Sequence, residues 1–302
     1  MEVFVSASFS SEIFGLVGNT RLVEVLRFPS KNVKVFAKLE MFNPSGSVKD
    51  RIVKYIIEEN ERKGRLKKGD TLIEATSGNT GIALALLGAA KGYRVKVVMP
   101  KTVSKERKQI LRVLGAEIIF TKDEYEAIRV AKELAKKEGY FYLNQFENEL
   151  NVKAHYETTA KEIIEQTCGK IDVFIAGIGT GGTLMGVAKR LKEFNEKIKI
   201  IGIEPEVDSR IEGLLNFSEG SYTPKILDLS LIDEVVRVKD EDAFEATKLL
   251  IKRGFFVGLS SGAAFWVAWK KAKNMGKNKN IVTIFADGGF KYLSVFEGKN
   301  EI

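Results

Sequence analysis

Three short polar segments combine residue types that could do chemistry, and each is predicted to join a strand to a helix. The first, residues 43–51, reads Asn-Pro-Ser-Gly-Ser-Val-Lys-Asp-Arg and places Lys49 in the first helical turn. The positive end of a helix disfavours a charged ammonium group and lowers the pKa of a lysine there. Lys49 is therefore a candidate amine nucleophile, although an ordinary exposed lysine near a helix start would explain the same position.

The second segment, residues 76–81, reads Thr-Ser-Gly-Asn-Thr-Gly and precedes another predicted helix. It gathers hydroxyl groups, an amide and backbone N–H groups at a helix N-terminus, which makes an anion site well suited to a carboxylate. Simple N-capping by Ser77 or Asn79 is the alternative, and it is compatible with an anion site.

The third segment, residues 177–183, reads Gly-Ile-Gly-Thr-Gly-Gly-Thr and again lies between a strand and a helix. Unhindered glycines let backbone N–H groups close on a phosphate, with the helix dipole behind them. The extra glycine at position 181 and the threonines at 180 and 183 fit a single phosphate ester better than a pyrophosphate.

A dinucleotide-binding site is the rival interpretation of this third segment. Gly177, Gly179 and Gly182 satisfy the G-x-G-x-x-G pattern, and Glu204 ends the following strand at roughly the spacing of 20 residues that the pattern requires. An NAD(P)-dependent oxidoreductase therefore stays open, but it explains only this segment and leaves the first two without a role.

Pyridoxal 5′-phosphate (PLP) chemistry accounts for all three segments. It requires a lysine for covalent attachment, a phosphate cradle, a partner for the pyridine nitrogen and a place for the substrate carboxylate. Lys49, residues 177–183 and residues 76–80 meet three of these four requirements.

The same segments resemble motifs of the cysteine synthase (O-acetylserine sulfhydrylase) family, in the cystathionine β-synthase branch of the fold type II PLP enzymes. The agreement covers most of the chain. It includes His155 with Thr158 and Thr159, and the segments 18–20, 144–146, 202–205, 258–262 and 287–294.

The resemblance implies roles for individual residues. Lys49 would attach PLP covalently and remove the α-proton of the substrate as a general base. Asn79 would contact the 3′-oxygen of PLP, and Ser260 would hydrogen-bond the pyridine nitrogen. The phosphate would be bound by Gly179, Thr180, Gly181, Gly182 and Thr183. The substrate carboxylate would be held by Thr76, Ser77, Gly78, Asn79, Thr80 and Gln145.

The implied reaction is β-replacement, in which O-acetyl-L-serine and sulfide give L-cysteine and acetate. Residues 210–217 depart from the His-x-Ile-x-Gly-x-Gly stretch of A-type enzymes and are more similar to B-type enzymes, which accept alternative sulfur donors. This departure leaves open whether serine acetyltransferase binds. Phosphoserine-using relatives place an arginine where this chain has Leu215, with Arg210 nearby, so O-acetylserine is preferred. O-phosphoserine sulfhydrylase and cystathionine β-synthase activity are the alternatives, and a homodimer is expected.

The elements that position these segments alternate regularly between strand and helix. Apolar runs at 33–39, 71–75, 94–99, 117–120, 172–176, 198–203 and 280–285 are predicted strands, with helical patterns between them. This alternation predicts an α/β protein with two doubly wound, mostly parallel sheets flanked by helices. We expect domains at 1–145, whose first 35 or so residues could pack on the other domain, and at 146–302. Residues 208–228 form a long irregular segment, and such segments are often functional.

Composition excludes several other classes of protein. The 302 residues carry a net charge of +8, but basic residues are interleaved with glutamates, which argues against nucleic-acid binding. The longest apolar run is too short to cross a membrane, and no secretory signal is recognisable, so a cytoplasmic location is expected. His155 is the only histidine and is expected to make a structural hydrogen bond. No metal site is predicted, because no ligand cluster with suitable spacing occurs.

Overall fold

The computed structural model describes residues 12–219 and 222–297. Within these ranges ten strands form two sheets. Their bounds are β1 (Leu22–Phe28), β2 (Val33–Leu39), β3 (Thr71–Ala75), β4 (Arg94–Pro100), β5 (Glu117–Thr121), β6 (Tyr140–Tyr142), β7 (Val173–Gly177), β8 (Lys199–Pro205), β9 (Glu234–Val238) and β10 (Asn280–Phe285).

The described part of the chain also contains ten α-helices, which cover these sheets. Their bounds are α1 (Lys49–Arg62), α2 (Asn79–Ala90), α3 (Lys105–Val113), α4 (Glu124–Leu134), α5 (Glu149–Ala154), α6 (Ala160–Gln166), α7 (Gly182–Phe194), α8 (Asp240–Lys252), α9 (Leu259–Asn274) and α10 (Leu293–Glu297). A π-helical turn, His155–Thr159, joins α5 to α6. Among the residues described, no helix is both long and apolar enough to span a membrane.

The larger sheet has the strand order β1-β2-β10-β7-β8-β9, and the smaller sheet has the order β5-β4-β3-β6. All pairs are parallel except β1 with β2. Every residue of the central strand β3 is buried, as expected for a parallel strand covered by helices on both faces. Two mostly parallel sheets flanked by helices confirm the predicted fold class.

The larger sheet contains strands from both the early and the late part of the chain. β1 and β2 belong to it although they precede the smaller sheet in sequence, and β2 pairs with β10. The smaller sheet uses strands from the continuous stretch between residues 71 and 142. The division of the chain at residue 145 stays a prediction.

The helical pattern that precedes β7 begins at Glu149. Asn148 precedes it with extended backbone dihedrals, and its side chain accepts a hydrogen bond from the backbone N–H of Leu150. Such an N-cap satisfies one of the donors that a helix start leaves without a partner. Asn151 of α5 and His155 of the π-helical turn lie beside the third polar segment.

The three polar segments all lie at the carboxyl ends of strands. The second follows β3 and leads into α2, the third follows β7 and leads into α7, and the first follows β2 through a short 3₁₀ turn. In open α/β sheets this edge is where ligands bind, because helix N-termini converge there. The topology therefore concentrates the predicted functional residues at one edge.

Candidate active site

Lys49 begins α1 at the junction of the two sheets. Its backbone N–H donates to Ser47 Oγ at 3.3 Å, and Ser47 bridges to Asp287 after β10. Burial lowers the pKa of Lys49 to about 8, and the nearby Asp287 carboxylate partly opposes this change. The direction is the expected one, but burial, and not the end of the helix, is the main cause.

Residues from all three segments line one pocket. Lys49 and Asn79 face it from one side, and Ser260, in the first turn of α9, contributes from another. The third segment contributes Gly177, Gly179, Thr180, Gly181 and Thr183. Gly182 does not line the pocket but is the first residue of α7. Side chains separated by more than 200 residues in the chain are thus brought to one site.

The third segment has the shape of a phosphate cradle. Gly181 has a φ of +87°, a conformation that favours glycine, and α7 begins at the next residue. A Cβ at position 179 would lie 2.3 Å from the carbonyl oxygen of Gly213, and one at position 182 would lie 1.9 Å from Asn151 Oδ1. The backbone N–H of Gly182 donates to Thr180 Oγ1 at 3.3 Å, and the next N–H groups of α7 have no acceptor within the helix and are available to an anion. The residues therefore fit the phosphate of PLP.

The helical stretch of α5 and the π-helical turn supports this cradle from behind. Asn151 Nδ2 donates to Thr180 Oγ1 at 3.0 Å, and His155 Nε2 lies 3.1 Å from Thr183 Oγ1. His155 is fully buried, and burial lowers its pKa to about 3, so its ring is neutral at physiological pH. Sequence reasoning assigned His155 a structural hydrogen bond, but nothing in the sequence indicated that its partner lies in the glycine segment.

The second segment divides between two sites. Thr76, Ser77 and Gln145 line a larger cleft of about 640 Å³, whereas Asn79 faces the pocket of Lys49. Thr80 is buried, and its hydroxyl donates to Gln145 Oε1 at 2.6 Å. The backbone N–H of Gly78 donates to Thr76 Oγ1 at 3.1 Å. Thr80 and Gly78 line neither cavity, so the roles at a substrate carboxylate stay predictions.

An ion pair that the sequence did not reveal lies between the pocket and the long irregular segment. Glu212 lines the pocket of Lys49 and pairs with Arg107 of α3, which is only 4% exposed. Arg107 also donates to the carbonyl oxygen of Ser77 at 3.1 Å. The charge of Arg107, which contacts the second segment through Ser77, is therefore matched by a carboxylate.

The larger cleft is acidic. The charged side chains that line it are Glu124, Glu206, Asp208 and Glu219, and none of its described lining residues is Lys, Arg or His. Carboxylates at the mouth of a cleft create a negative potential that disfavours the entry of anions.

The features needed for dinucleotide binding are already occupied. Glu204 is buried, and its carboxylate accepts hydrogen bonds from Ser218 Oγ at 2.6 Å and from Arg237. A Cβ at position 177 would lie 2.3 Å from the side chain of Leu214, so packing explains this glycine. The rival oxidoreductase interpretation loses the acidic residue on which it depended.

A parallel α/β fold with a half-buried lysine that shares a pocket with a glycine-rich phosphate cradle defines a class of enzymes that use PLP. The family model described as "Pyridoxal-phosphate dependent enzyme" matches residues 13–287. The chain belongs to this family and is a PLP-dependent enzyme.

Individual relatives of the chain carry names that are more specific than the family description. The chain is 46% identical to a protein named cysteine synthase from Aquifex aeolicus, over 93% of this chain and 90% of that protein. It is 43% identical to cysteine synthase B from Escherichia coli, over 92% and 93% of the two chains. The crystal structure of O-ureido-L-serine synthase superposes with a TM-score of 0.90 at 35% identity, covering 98% of each chain. The family resemblance stated from the sequence is confirmed.

Proposed function

We propose that the enzyme is a cysteine synthase that converts O-acetyl-L-serine and sulfide into L-cysteine and acetate. The observation that carries the proposal is the meeting of Lys49 with the glycine segment and Asn79 in one pocket. Relatives named cysteine synthase, 43–46% identical over more than nine-tenths of the chain, point to the same reaction.

Different residues of the pocket would contact different parts of the cofactor. Lys49 would hold PLP covalently, and the cradle that ends in Thr183 would bind its phosphate. Ser260 would face the pyridine nitrogen, and Asn79 would face the 3′-oxygen. When bound, PLP supplies an electron-withdrawing ring that stabilises negative charge on the α-carbon of the substrate. A serine opposite the pyridine nitrogen, in place of a carboxylate, would leave that nitrogen unprotonated and moderate this effect.

Lys49 is suited to move the α-proton. Its pKa of about 8 leaves about a tenth of it as the neutral amine near pH 7, far more than for an ordinary lysine, and this form can accept a proton. Lys49 lines the pocket with a half-buried side chain, so the same amine can return the proton at the end of the reaction. Because Lys49 begins α1, its backbone is fixed while its side chain moves.

The second segment is suited to hold the substrate carboxylate. Ser77 and Gln145 line the larger cleft beside the N-terminus of α2. A helix N-terminus attracts a carboxylate through its dipole and its free N–H groups. Thr80 would act on Gln145, since its hydroxyl fixes the amide of that residue.

The charge of the site favours O-acetylserine over O-phosphoserine. The acetyl ester is neutral, whereas the phosphate ester would bring two negative charges past the acidic cleft and towards Glu212. Arg107 cannot offset this repulsion while Glu212 neutralises it. The same argument favours sulfide over the dianion thiosulfate. The cleft of about 640 Å³ exceeds the needs of sulfide, which keeps a longer thiol such as homocysteine as the second candidate.

We further propose that the enzyme is a cytoplasmic homodimer. One surface groove is lined by Met41, Phe42, Ile110 and Phe290. Phe42 is 68% exposed and Phe290 is 75% exposed, and large apolar side chains of this kind commonly mark contact surfaces. The cytoplasmic location stays a prediction from the sequence, and whether serine acetyltransferase binds stays open because residues 210–217 depart from the A-type pattern.

The experiment is reconstitution with PLP followed by borohydride reduction. The wild-type protein should turn yellow, lose the colour on reduction and carry the cofactor on the peptide that contains Lys49. The Lys49→Ala variant should bind PLP without covalent attachment and lose at least about a thousandfold in turnover. Lys63→Ala, on the exposed end of the same helix, is the matched control and should behave like the wild type.

Rates with three donors then decide the substrate. O-acetylserine, O-phosphoserine and serine should each be offered with sulfide and with homocysteine. The proposal requires O-acetylserine with sulfide to be the fastest pair. A protein that stays colourless with PLP, or that works faster with O-phosphoserine, would contradict it.

A further inference from the structure

The side chains of Asp287 and Lys291, which follow β10, each form a hydrogen bond with the side-chain amide of Asn79. Asn79 Nδ2 donates to Asp287 Oδ2 at 2.7 Å. Asn79 Oδ1 accepts from Lys291 Nζ at 2.7 Å. A rotation of the amide by 180° would place its donor against the ammonium and its oxygen against the carboxylate. The orientation of Asn79 is therefore fixed, with one N–H left for another partner.

The carboxylate of Asp287 is buried, and only one of its two oxygens accepts hydrogen bonds from the described residues. It is only 1% exposed, and the hydroxyl of Tyr292 donates to the same oxygen, Oδ2, at 2.5 Å. Its other oxygen has no hydrogen-bond partner among the described residues. A Cβ at position 258 would lie 2.4 Å from this second oxygen, so Gly258 leaves it room. A buried carboxylate is costly unless its charge is matched, which directs attention to the cations around it.

The cations around Asp287 include Lys49 and Lys291. Asp287 interacts electrostatically with Lys49 of α1 and with Lys291. Lys291 is 8% exposed, and its Nζ also donates to the carbonyl oxygen of Gly46 at 3.0 Å. The other charged groups that face this cluster are Asp50 and Arg107. The cluster ties the lysine segment, the second polar segment and the end of β10 together.

We propose that Asp287 and Lys291 are positioning residues that hold Asn79 so that its remaining N–H faces the ring of the cofactor. This inference rests on the proposed function, because it concerns PLP in the pocket of Lys49. We call the three residues the Asn79 clamp. The clamp orients the amide before the cofactor arrives, so no reorganisation is needed when the ring enters.

The test measures how the protein binds PLP, independently of turnover. Asp287→Asn keeps the shape of the side chain but removes its charge. A hydrogen bond to a charged group is lost from the clamp, so the dissociation constant of PLP, from an absorbance titration of the PLP-free protein, should rise at least about tenfold. The visible absorption band should also move. Tyr292→Phe removes one hydrogen bond and keeps the charge, so it should change both readouts less.

A double-mutant cycle separates action through Asn79 from a general loss of structure. In the Asn79→Ala background, Asp287→Asn should have an effect on PLP affinity at least about fivefold smaller than in the wild-type background. Lys291→Met removes the hydrogen bond to the amide oxygen of Asn79. It should give the same pattern if Asp287→Asn fails to fold. Effects that simply multiply, or an unchanged affinity and spectrum in both single variants, would overturn the inference. Failure of the wild-type protein itself to bind PLP would instead overturn the proposed function.

Discussion

At the scale of single residues, Glu212 is the side chain that we expect to set the choice of donor. It neutralises Arg107 beside the pocket of Lys49. Glu212→Gln would leave that guanidinium unpaired and attractive to a leaving phosphate. We predict that the ratio of kcat/KM for O-phosphoserine to that for O-acetylserine rises at least about tenfold, which corresponds to about 1.4 kcal/mol.

The control for this prediction lies in the outer cleft. Glu206→Gln removes a charge of the same sign from the lining of the larger cleft, away from the pocket of Lys49. It should change the ratio less than about twofold, since exposed charges are screened. Equal effects of the two substitutions would show that overall charge, and not Glu212, governs the donor.

A second residue, Glu74 of β3, should make the protein less stable as the pH rises. Its side chain is fully buried, and its carboxyl group interacts with the backbone of Asn144, Gln145 and Ala75 and with the side chain of Gln145. Burial raises its pKa to about 8 from the ordinary 4.5. Between these values the unfolded chain binds fewer protons than the folded one, so the free energy of unfolding falls with rising pH.

Glu74→Gln should remove this dependence. We expect the variant to have a Tm at least about 2 °C above the wild type at pH 8 and a value close to it near pH 4. Thermal unfolding followed by circular dichroism measures both. A wild-type Tm that does not fall relative to the variant between these pH values would contradict the assignment of a buried, protonated carboxyl group.

At the scale of elements, the helical stretch of α5 and the π-helical turn acts as a support for the phosphate cradle. Its side chains reach Thr180 and Thr183 through Asn151 and His155. A Cβ at position 186 would lie 2.3 Å from the carbonyl oxygen of Val152, so Gly186 lets this stretch pack directly against α7. The phosphate cradle is therefore held in place by side chains of a regular helical element.

His155 offers a direct test of this support. Its pKa of about 3 lies below the value of an unfolded chain, so the unfolded state binds more protons between about pH 3 and 6.5, and stability is lost as the pH falls through that range. Because the chain has one histidine, its imidazole resonances are unambiguous. They should not titrate between pH 5 and 8, and His155→Leu should weaken PLP binding by about tenfold. A normal titration near pH 6.5 would refute the burial argument.

The central strands were all predicted from the sequence, whereas of the four edge strands in the described residues only β5 was. The predicted strands 33–39, 71–75 and 280–285 coincide with β2, β3 and β10. The missed strands, β1, β6 and β9, all lie at sheet edges. An edge strand has only one neighbour and buries fewer apolar side chains, so its sequence carries a weaker pattern.

The same distinction applies to the site. Lys49 and the glycine segment form contiguous motifs whose chemistry can be read from neighbouring residues. Glu212, Asp287 and Lys291 act through partners far away in the chain, at contacts that only packing creates. One sequence without the fold contains no signal for such pairs.

At the scale of the whole molecule, the groove with two exposed phenylalanines should be the contact between subunits. Phe42→Ser combined with Phe290→Ser should shift the sedimentation coefficient from that of a dimer to that of a 33.7 kDa monomer. Val113 is 87% exposed but does not line the groove, so Val113→Ser should leave the dimer intact. A dimer that survives the double substitution would place the interface elsewhere.

The pairing of β2 with β10 also bears on how the chain is made. The ribosome releases residues 33–39 long before residues 280–285, so the first two strands must wait for a neighbour that is almost the last part to be synthesised. Residues 71–142 contain every strand of the smaller sheet and can collapse while translation continues. A nascent chain stalled before residue 280 should therefore leave residues 22–39 open to protease, and full-length release should close them.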